Sequence, residues 1–113
     1  WRGLAAGVIQ STLKAMKLHC TTFTAAIGPA IRPPNFAVGG KVIDAFRGTR
    51  LHCTLPKTKS YQFDLQEVAY FELVAMGASN ANKKNLCTYR NASVFFSYRR
   101  AGITGRLIGY ATL

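Results

Sequence analysis

Acidic residues are almost missing from this sequence. Asp44, Asp64, Glu67 and Glu72 are the only carboxylates among 113 residues, against 15 Lys and Arg. None precedes Asp44 and none follows Glu72. Acid/base chemistry by paired carboxylates, or by a nucleophile whose base needs a carboxylate to orient it, therefore has few groups to draw on. Long hydrophobic runs are missing too. No apolar stretch reaches the roughly 20 residues that cross a bilayer as a helix. Residues 4–9 are too short, and 68–76 are interrupted by Glu72. Cysteine is sparse and odd in number, with Cys20, Cys53 and Cys87 alone. That count argues against a disulfide-stapled secreted scaffold and for a reducing compartment.

What is present is positive charge spread along the whole chain, for a net charge of +11. Hydrophobic residues make up 49% and charged residues 17%, the composition of a folded chain rather than a disordered one. So much dispersed charge predicts a large acidic partner, either nucleic acid or an acidic protein assembly. With so few groups for catalysis, the residues point to a non-enzymatic binding or scaffolding role.

The length suits one domain, or a smaller domain with an arm. The expected fold class is α+β: a small antiparallel β-sheet domain over about residues 61–113, preceded by a partly helical, partly extended basic arm over 1–60. Leu4, Val8, Thr12 and Met16 fall at helical spacing and predict a short amphipathic helix over roughly 4–18. Residues 21–34 carry Gly28-Pro29 and Pro33-Pro34 and cannot continue it. Residues 41–46 read as a strand after Gly39-Gly40. In the second part, strands are expected over 61–65, 68–76, 89–98 and 107–113, with 77–85 as a polar connection. The first part also resembles an organelle transit peptide, being basic, nearly acid-free and rich in Thr and Ala. A second reading takes Met16-Lys17-Leu18 as a start context with translated leader before it. The reading kept is an arm that orders on its partner.

The tetrapeptide Leu-His-Cys-Thr occurs twice, at 18–21 and 51–54. Two His and two Cys could surround zinc, but adjacent ligands point to opposite faces of a strand, so coincidence or weak duplication is preferred. A nucleophilic cysteine lacks a visible base and orienting group. The sequon at Asn91 is discounted because it falls inside an expected strand. The mixture of Tyr89, Arg90, Phe95, Phe96, Tyr98, Arg99 and Arg100 carries most information. Such a face could stack bases and hold phosphates, although no RNA-binding sequence motif accompanies it. Its bland alternative is core at Val94 and Phe96, with Tyr98 and Arg99 at the rim.

Residues 68–113 resemble the small linker domain of phycobilisome linker polypeptides. Tyr70-Phe71-Glu72-Leu73-Val74-Ala75-Met76 stands where that family has an aromatic-rich strand. An Asn-rich connection follows at 79–85, then Tyr89-Arg90-Asn91-Ala92-Ser93-Val94-Phe95-Phe96, Tyr98-Arg99-Arg100, and a closing segment from Arg106. The family's Val-Pro is absent, and the helix between its last two strands is nearly deleted. The resemblance implies a linker inside acidic phycobiliprotein rings at the stromal surface of the chloroplast thylakoid. Phe95, Phe96 and Tyr98 would anchor it, and Arg90, Arg99, Arg100 and Arg106 would meet acidic subunits. It implies no firm cofactor beyond a neighbouring or covalent bilin, for which Cys87 and then Cys53 are the candidate attachment points. Cys87 as a small buried hydrophobe is the favoured reading of that residue. The second functional reading is a basic subunit of a mitochondrial or plastid ribosome that binds ribosomal RNA.

Overall fold

The structure, a computed structural model, describes residues 1–18, 22–47 and 61–111. Helix α1 (Arg2–Ala5) and helix α2 (Val8–Ala15) replace the single helix expected over 4–18. The break is at Gly7, whose φ of 76° is a left-handed turn that few other residues adopt cheaply. Strand β1 (Phe23–Ile27) follows, then β2 (Ala37–Val38), α3 (Gly40–Ala45), β3 (Tyr61–Gln62), α4 (Leu65–Ala75), β4 (Ala78–Lys83) and α5 (Tyr98–Ala101). The mixture of helices and small sheets is of the α+β class that the sequence predicts.

Several local expectations need correction. Residues 41–45 are helical and Phe46 caps the helix, because Val42, Ile43 and Phe46 fall at i, i+1 and i+4 and turn one face inward while Lys41, Asp44 and Ala45 stay exposed. Residues 68–75 are also helical. The deciding signal lies upstream of the apolar run: the Asp64 Oδ1 accepts the backbone N–H of Gln66 at 3.0 Å and of Glu67 at 3.3 Å, which caps α4. Glu67 completes the acidic first turn that the helix dipole favours. The expected strand over 61–65 keeps only Tyr61–Gln62. The polar connection 77–85 contains strand β4. Residues 89–97 are a run of turns rather than a strand: the Asn91 carbonyl accepts from the N–H of Val94 and of Phe95 at 3.2 and 3.0 Å. Residues 107–111 carry no regular structure.

Strands β1 and β4 pair in parallel from Phe23↔Ala78 to Ile27↔Lys83, with an irregularity after Phe23. Helix α4 packs on this pair, as expected of a helix linking parallel strands. Buried Gln66 locks the three together by donating through Nε2 to the carbonyls of Gly28 (2.7 Å) and Lys84 (3.1 Å). Strands β2 and β3 pair antiparallel. Around them lies the core of Phe36, Val38, Phe46, Phe63 and Val68, with Trp1, Leu4 and Ile31 packed at its edge. Phe46 and Phe63 pack with their rings tilted by 41° at 4.9 Å between centroids, and Phe36 meets Phe63 edge-on at 6.4 Å.

Candidate functional site

An open cleft of about 560 Å³ lies beside this core. Trp1 and Arg2 enter it from α1, Pro29–Ile31 from the segment after β1, and Phe96–Arg99 from the start of α5. Phe36 forms part of its floor, and Thr104–Leu107 form a rim. Every charged residue lining it is a cation: Arg2, Arg99 and Arg106. Four aromatic rings (Trp1, Phe36, Phe96 and Tyr98) line it as well.

Two of the three cations lie over aromatic rings. Arg2 lies 5.1 Å from the Trp1 ring centroid, and Arg99 lies 5.4 Å from that of Phe36. Arg99 also donates through Nη1 to the Ala37 carbonyl at 3.1 Å, and a guanidinium carries four further N–H donors. Its neighbour Arg100 faces inward. Arg100 donates through Nη1 to the carbonyls of Thr88 and Tyr89, both at 2.8 Å, and through Nη2 to that of Phe95 at 2.7 Å. One guanidinium thus pins the turns that deliver Phe96 and Ser97 to the cleft. The Gly105 backbone runs against the Phe96 ring, where an added Cβ would come within 2.8 Å of it.

A second polar cluster stands apart from the cleft. Arg32 donates to the Asp64 Oδ2 through Nε (3.1 Å) and Nη2 (2.7 Å), and through Nη1 to Asn85. Lys83 bonds to Glu67 and sits 4.6 Å from the Tyr70 ring centroid. Asp64 and Glu67 are therefore committed to pairing with neighbouring cations here, and Asp44, elsewhere on the surface, meets Arg47 at 2.9 Å, so three of the four carboxylates are paired. Cys87 is buried at the edge of this cluster. Burial pushes its thiol pKa up, but the backbone N–H groups of Arg90, Arg32 and Tyr89, and the Asn35 amide at 3.6 Å, outweigh that and lower it.

Of the residues singled out in sequence, the structure brings Phe96, Tyr98, Arg99 and Arg106 to the cleft. Phe95 is half-buried behind it, and Arg100 is spent on the three carbonyls. Arg90 lines a separate small pocket with Arg32 and Cys87. Cys53 and both Leu-His-Cys-Thr repeats reach outside the described residues. Trp1, Arg2 and Phe36 were not singled out. The only tryptophan of the chain standing next to an arginine was the available signal.

The family model of multi-copper polyphenol oxidoreductase laccase matches residues 1–113. The chain belongs to that family. A Pseudomonas aeruginosa protein named purine nucleoside phosphorylase is 35% identical over 111 residues, covering 94% of this chain and 46% of its own length. The Escherichia coli purine nucleoside phosphorylase YfiH is 34% identical over 116 residues, covering 100% of this chain and 48% of its own. The crystal structure of a Neisseria meningitidis protein superposes with a TM-score of 0.82 at 36% identity, over 90% of this chain and 44% of that one. This chain thus spans about half the length of the curated relatives it matches.

Family membership overturns the linker reading and everything that hung on it. Phycobiliprotein rings, ribosomal RNA, the chloroplast and the organellar ribosome are withdrawn as partner and place, since the relatives are bacterial proteins of another family. The expectation of a non-enzyme falls too, because family and relatives alike carry enzyme names. The physical root of the error is the helix at 65–75 and the turns at 89–97, where the resemblance needs strands. With the linker family goes the basis for a bilin at Cys87 or Cys53. Copper, which the family's description implies, finds no fit among the described residues. They hold no group of three or more His, Cys, Asp and Glu side chains able to take a metal, and Asp64 and Glu67 are already paired with cations.

Proposed function

We propose that this chain contributes the nucleoside- and phosphate-binding wall of a purine nucleoside phosphorylase. The observation that carries this reading is the cleft itself, where exposed aromatic rings and exclusively cationic charged residues share one opening. In phosphorolysis a phosphate oxygen attacks C1′ of the nucleoside. The C1′–N9 bond breaks, and its electron pair leaves with the purine, which takes up a proton. Two needs follow from that chemistry: a holder for a phosphate dianion and a flat apolar surface for the base. Arg2, Arg99 and Arg106 suit the first, since guanidinium N–H groups match phosphate oxygens. Phe96 and Tyr98, 52% and 72% exposed, suit the second. The named activity of the relatives supports the same assignment.

Trp1 is the sole tryptophan and lines the cleft, so its fluorescence reports directly on occupancy. Titration with inosine in the presence of inorganic phosphate is expected to change its emission saturably. Arg99→Ala should weaken the phosphate dependence roughly tenfold, the loss of one charge-assisted contact. No response to inosine, or a response to sulfate equal to that for phosphate, would sink the reading.

A further inference from the structure

The segments around Ala30 and Cys87 run side by side, joined by a parallel bridge between those two residues and by the Thr88 N–H, which donates to the Ala30 carbonyl at 3.1 Å. Neighbouring residues on such a ribbon face opposite ways. Ile31 and Thr88 line the cleft, whereas their chain neighbours Arg32 and Cys87 line a second pocket of about 180 Å³. Pro33, Asn85, Arg90 and Asn91 complete it, and the two openings share no lining residue.

This second lining is rich in hydrogen-bond donors. Arg32 is fixed before any occupant arrives: Nε and Nη2 donate to the Asp64 Oδ2, and Nη1 donates to the Asn85 Oδ1. A guanidinium carries two further N–H donors beyond these three. Asn85 gives its oxygen to Arg32, so its amide NH2 is what it offers an occupant. Asn91 adds a second carboxamide. Arg90 is exposed and forms no ion pair with a carboxylate among the described residues. Asp64 and Glu67 meet Arg32 from outside, and no carboxylate lines the pocket. The sulfur in the wall lies in the same polarity, since the Asn35 amide and the backbone N–H groups of Arg90, Arg32 and Tyr89 converge on it.

A metal cation would meet two guanidinium groups here and no carboxylate. An apolar ligand would strip water from donors and give them no acceptor in return. An anion satisfies both charge and donors, and a tetrahedral one presents acceptors in enough directions for donors on several sides. We propose that this pocket binds a tetrahedral oxyanion, either inorganic phosphate or the phosphate group of a monoester, through Arg32, Arg90, Asn85 and Asn91. Charge-assisted N–H···O bonds supply the affinity, and the preset Arg32 fork supplies the orientation.

Two-dimensional amide NMR of the labelled chain tests this without reference to activity. Inorganic phosphate is titrated at constant ionic strength, so that screening of the net charge stays matched. The amides of Arg32, Asn85, Cys87, Arg90 and Asn91 report on the pocket, and those of Phe96 and Arg99 report on the cleft. The pocket amides should shift saturably. Arg90→Gln should weaken that binding roughly tenfold, the loss of one charge-assisted contact. Arg99→Ala, confined to the cleft, should leave it unchanged. Glycerol 3-phosphate tells the two sources apart: binding at least as tight as that of phosphate assigns the monoester, and weaker binding assigns the free ion. Pocket shifts that grow linearly with phosphate overturn the proposal, as do shifts that keep full affinity in Arg90→Gln or vanish in Arg99→Ala. If inosine leaves Trp1 emission unchanged while the pocket amides still saturate, the nucleoside reading falls and the oxyanion pocket stands.

Discussion

Residues 61–87 and 94–111 are both rich in apolar side chains, yet the structure treats them in opposite ways. In the first stretch Phe63, Val68 and Ala69 are buried, α4 is capped by Asp64, and Asp64, Glu67 and Lys83 are paired. In the second, Val94, Ile103, Ile108 and Tyr110 stand in solvent and the short helix α5 is the one regular element among the described residues. The difference does not lie in hydrophobicity. It lies in whether a partner surface for the apolar face is carried by the described residues. Where that surface is present, local signals and tertiary contacts agree and a cooperative unit results. Where it is absent, the same kind of sequence stays largely without regular structure.

The largest effect should come from the center of the first region. Phe63 is 1% exposed and lies between Phe36 and Phe46. Phe63→Ala removes a large ring from a small core, and losses of about 3–5 kcal/mol are typical of that change. Such a loss is a large part of the stability of a domain this size. Urea titration followed by circular dichroism should find the variant mostly unfolded in buffer. A midpoint close to that of the parent would mean that the core is centered elsewhere.

Asp64 comes next, and two variants separate its two roles. Asp64→Ala loses both the cap on Gln66 and Glu67 and the partner of Arg32, whose side chain is 20% exposed. The cap alone contributes about 1 kcal/mol, and the Arg32 guanidinium, left with Asn85 and a 3.7 Å contact to Glu67, adds up to roughly 1 more. Asp64→Asn keeps a good cap and loses the ion pair, so it should fall between parent and alanine variant in urea midpoint. Equal midpoints for the asparagine and alanine variants would assign the whole effect to the ion pair.

Legibility in sequence followed the same division. The α+β class was readable from composition and alternation, and so was the N-terminal helical spacing, while Phe96, Tyr98, Arg99 and Arg106, singled out for another reason, share one cleft. Helix α4 was not read, because nine apolar-rich residues in a row outweighed a single capping aspartate. Helix α3 was missed because Gly39-Gly40 reads as the opening of a strand, although Val42, Ile43 and Phe46 carry helical spacing. Strand β1 hid among Thr and Ala, whose spacing favors neither element, and its pairing with β4 spans more than fifty residues, which no local pattern reports. The cleft had the same difficulty. Trp1, Phe36 and Arg99 meet only once the chain has folded. The charge was the most misleading feature, since an excess of cations states a preference for anions without stating their size.

A smaller effect belongs to Cys87, where the first region ends. Its folded pKa lies below the ordinary 9.0, with burial opposed by the N–H groups of Arg90, Arg32 and Tyr89 and by Asn35. A depressed acid contributes stability that is complete above the unfolded pKa and lost as pH falls through the folded one. The gain of the parent over Cys87→Ser should therefore grow as pH rises from neutral toward 9.0 and then level off. Urea midpoints measured across that window check it. A gap between the two proteins that shrinks with rising pH would reverse the assigned direction.

The smallest effect should lie in the second region, and it sharpens the contrast with Phe63. Ile108 is 88% exposed, so Ile108→Thr removes little area from contact in this chain. Exposed substitutions usually change stability by less than about 0.5 kcal/mol. Thr is β-branched like Ile and keeps a preference for extended backbone, so the change tests side-chain burial and not strand propensity. In this chain alone the urea midpoint should be unchanged within error. At the aligned position of the intact Escherichia coli relative, a polar replacement should cost several times more, because the side chain there would be held against the other half of the fold. A large loss in this chain alone would mean that Ile108 already has a partner among its own residues. Equal, negligible losses in both would mean that the second region is exposed in the whole family fold, and the contrast between the two regions would then have to be explained by something other than a missing surface.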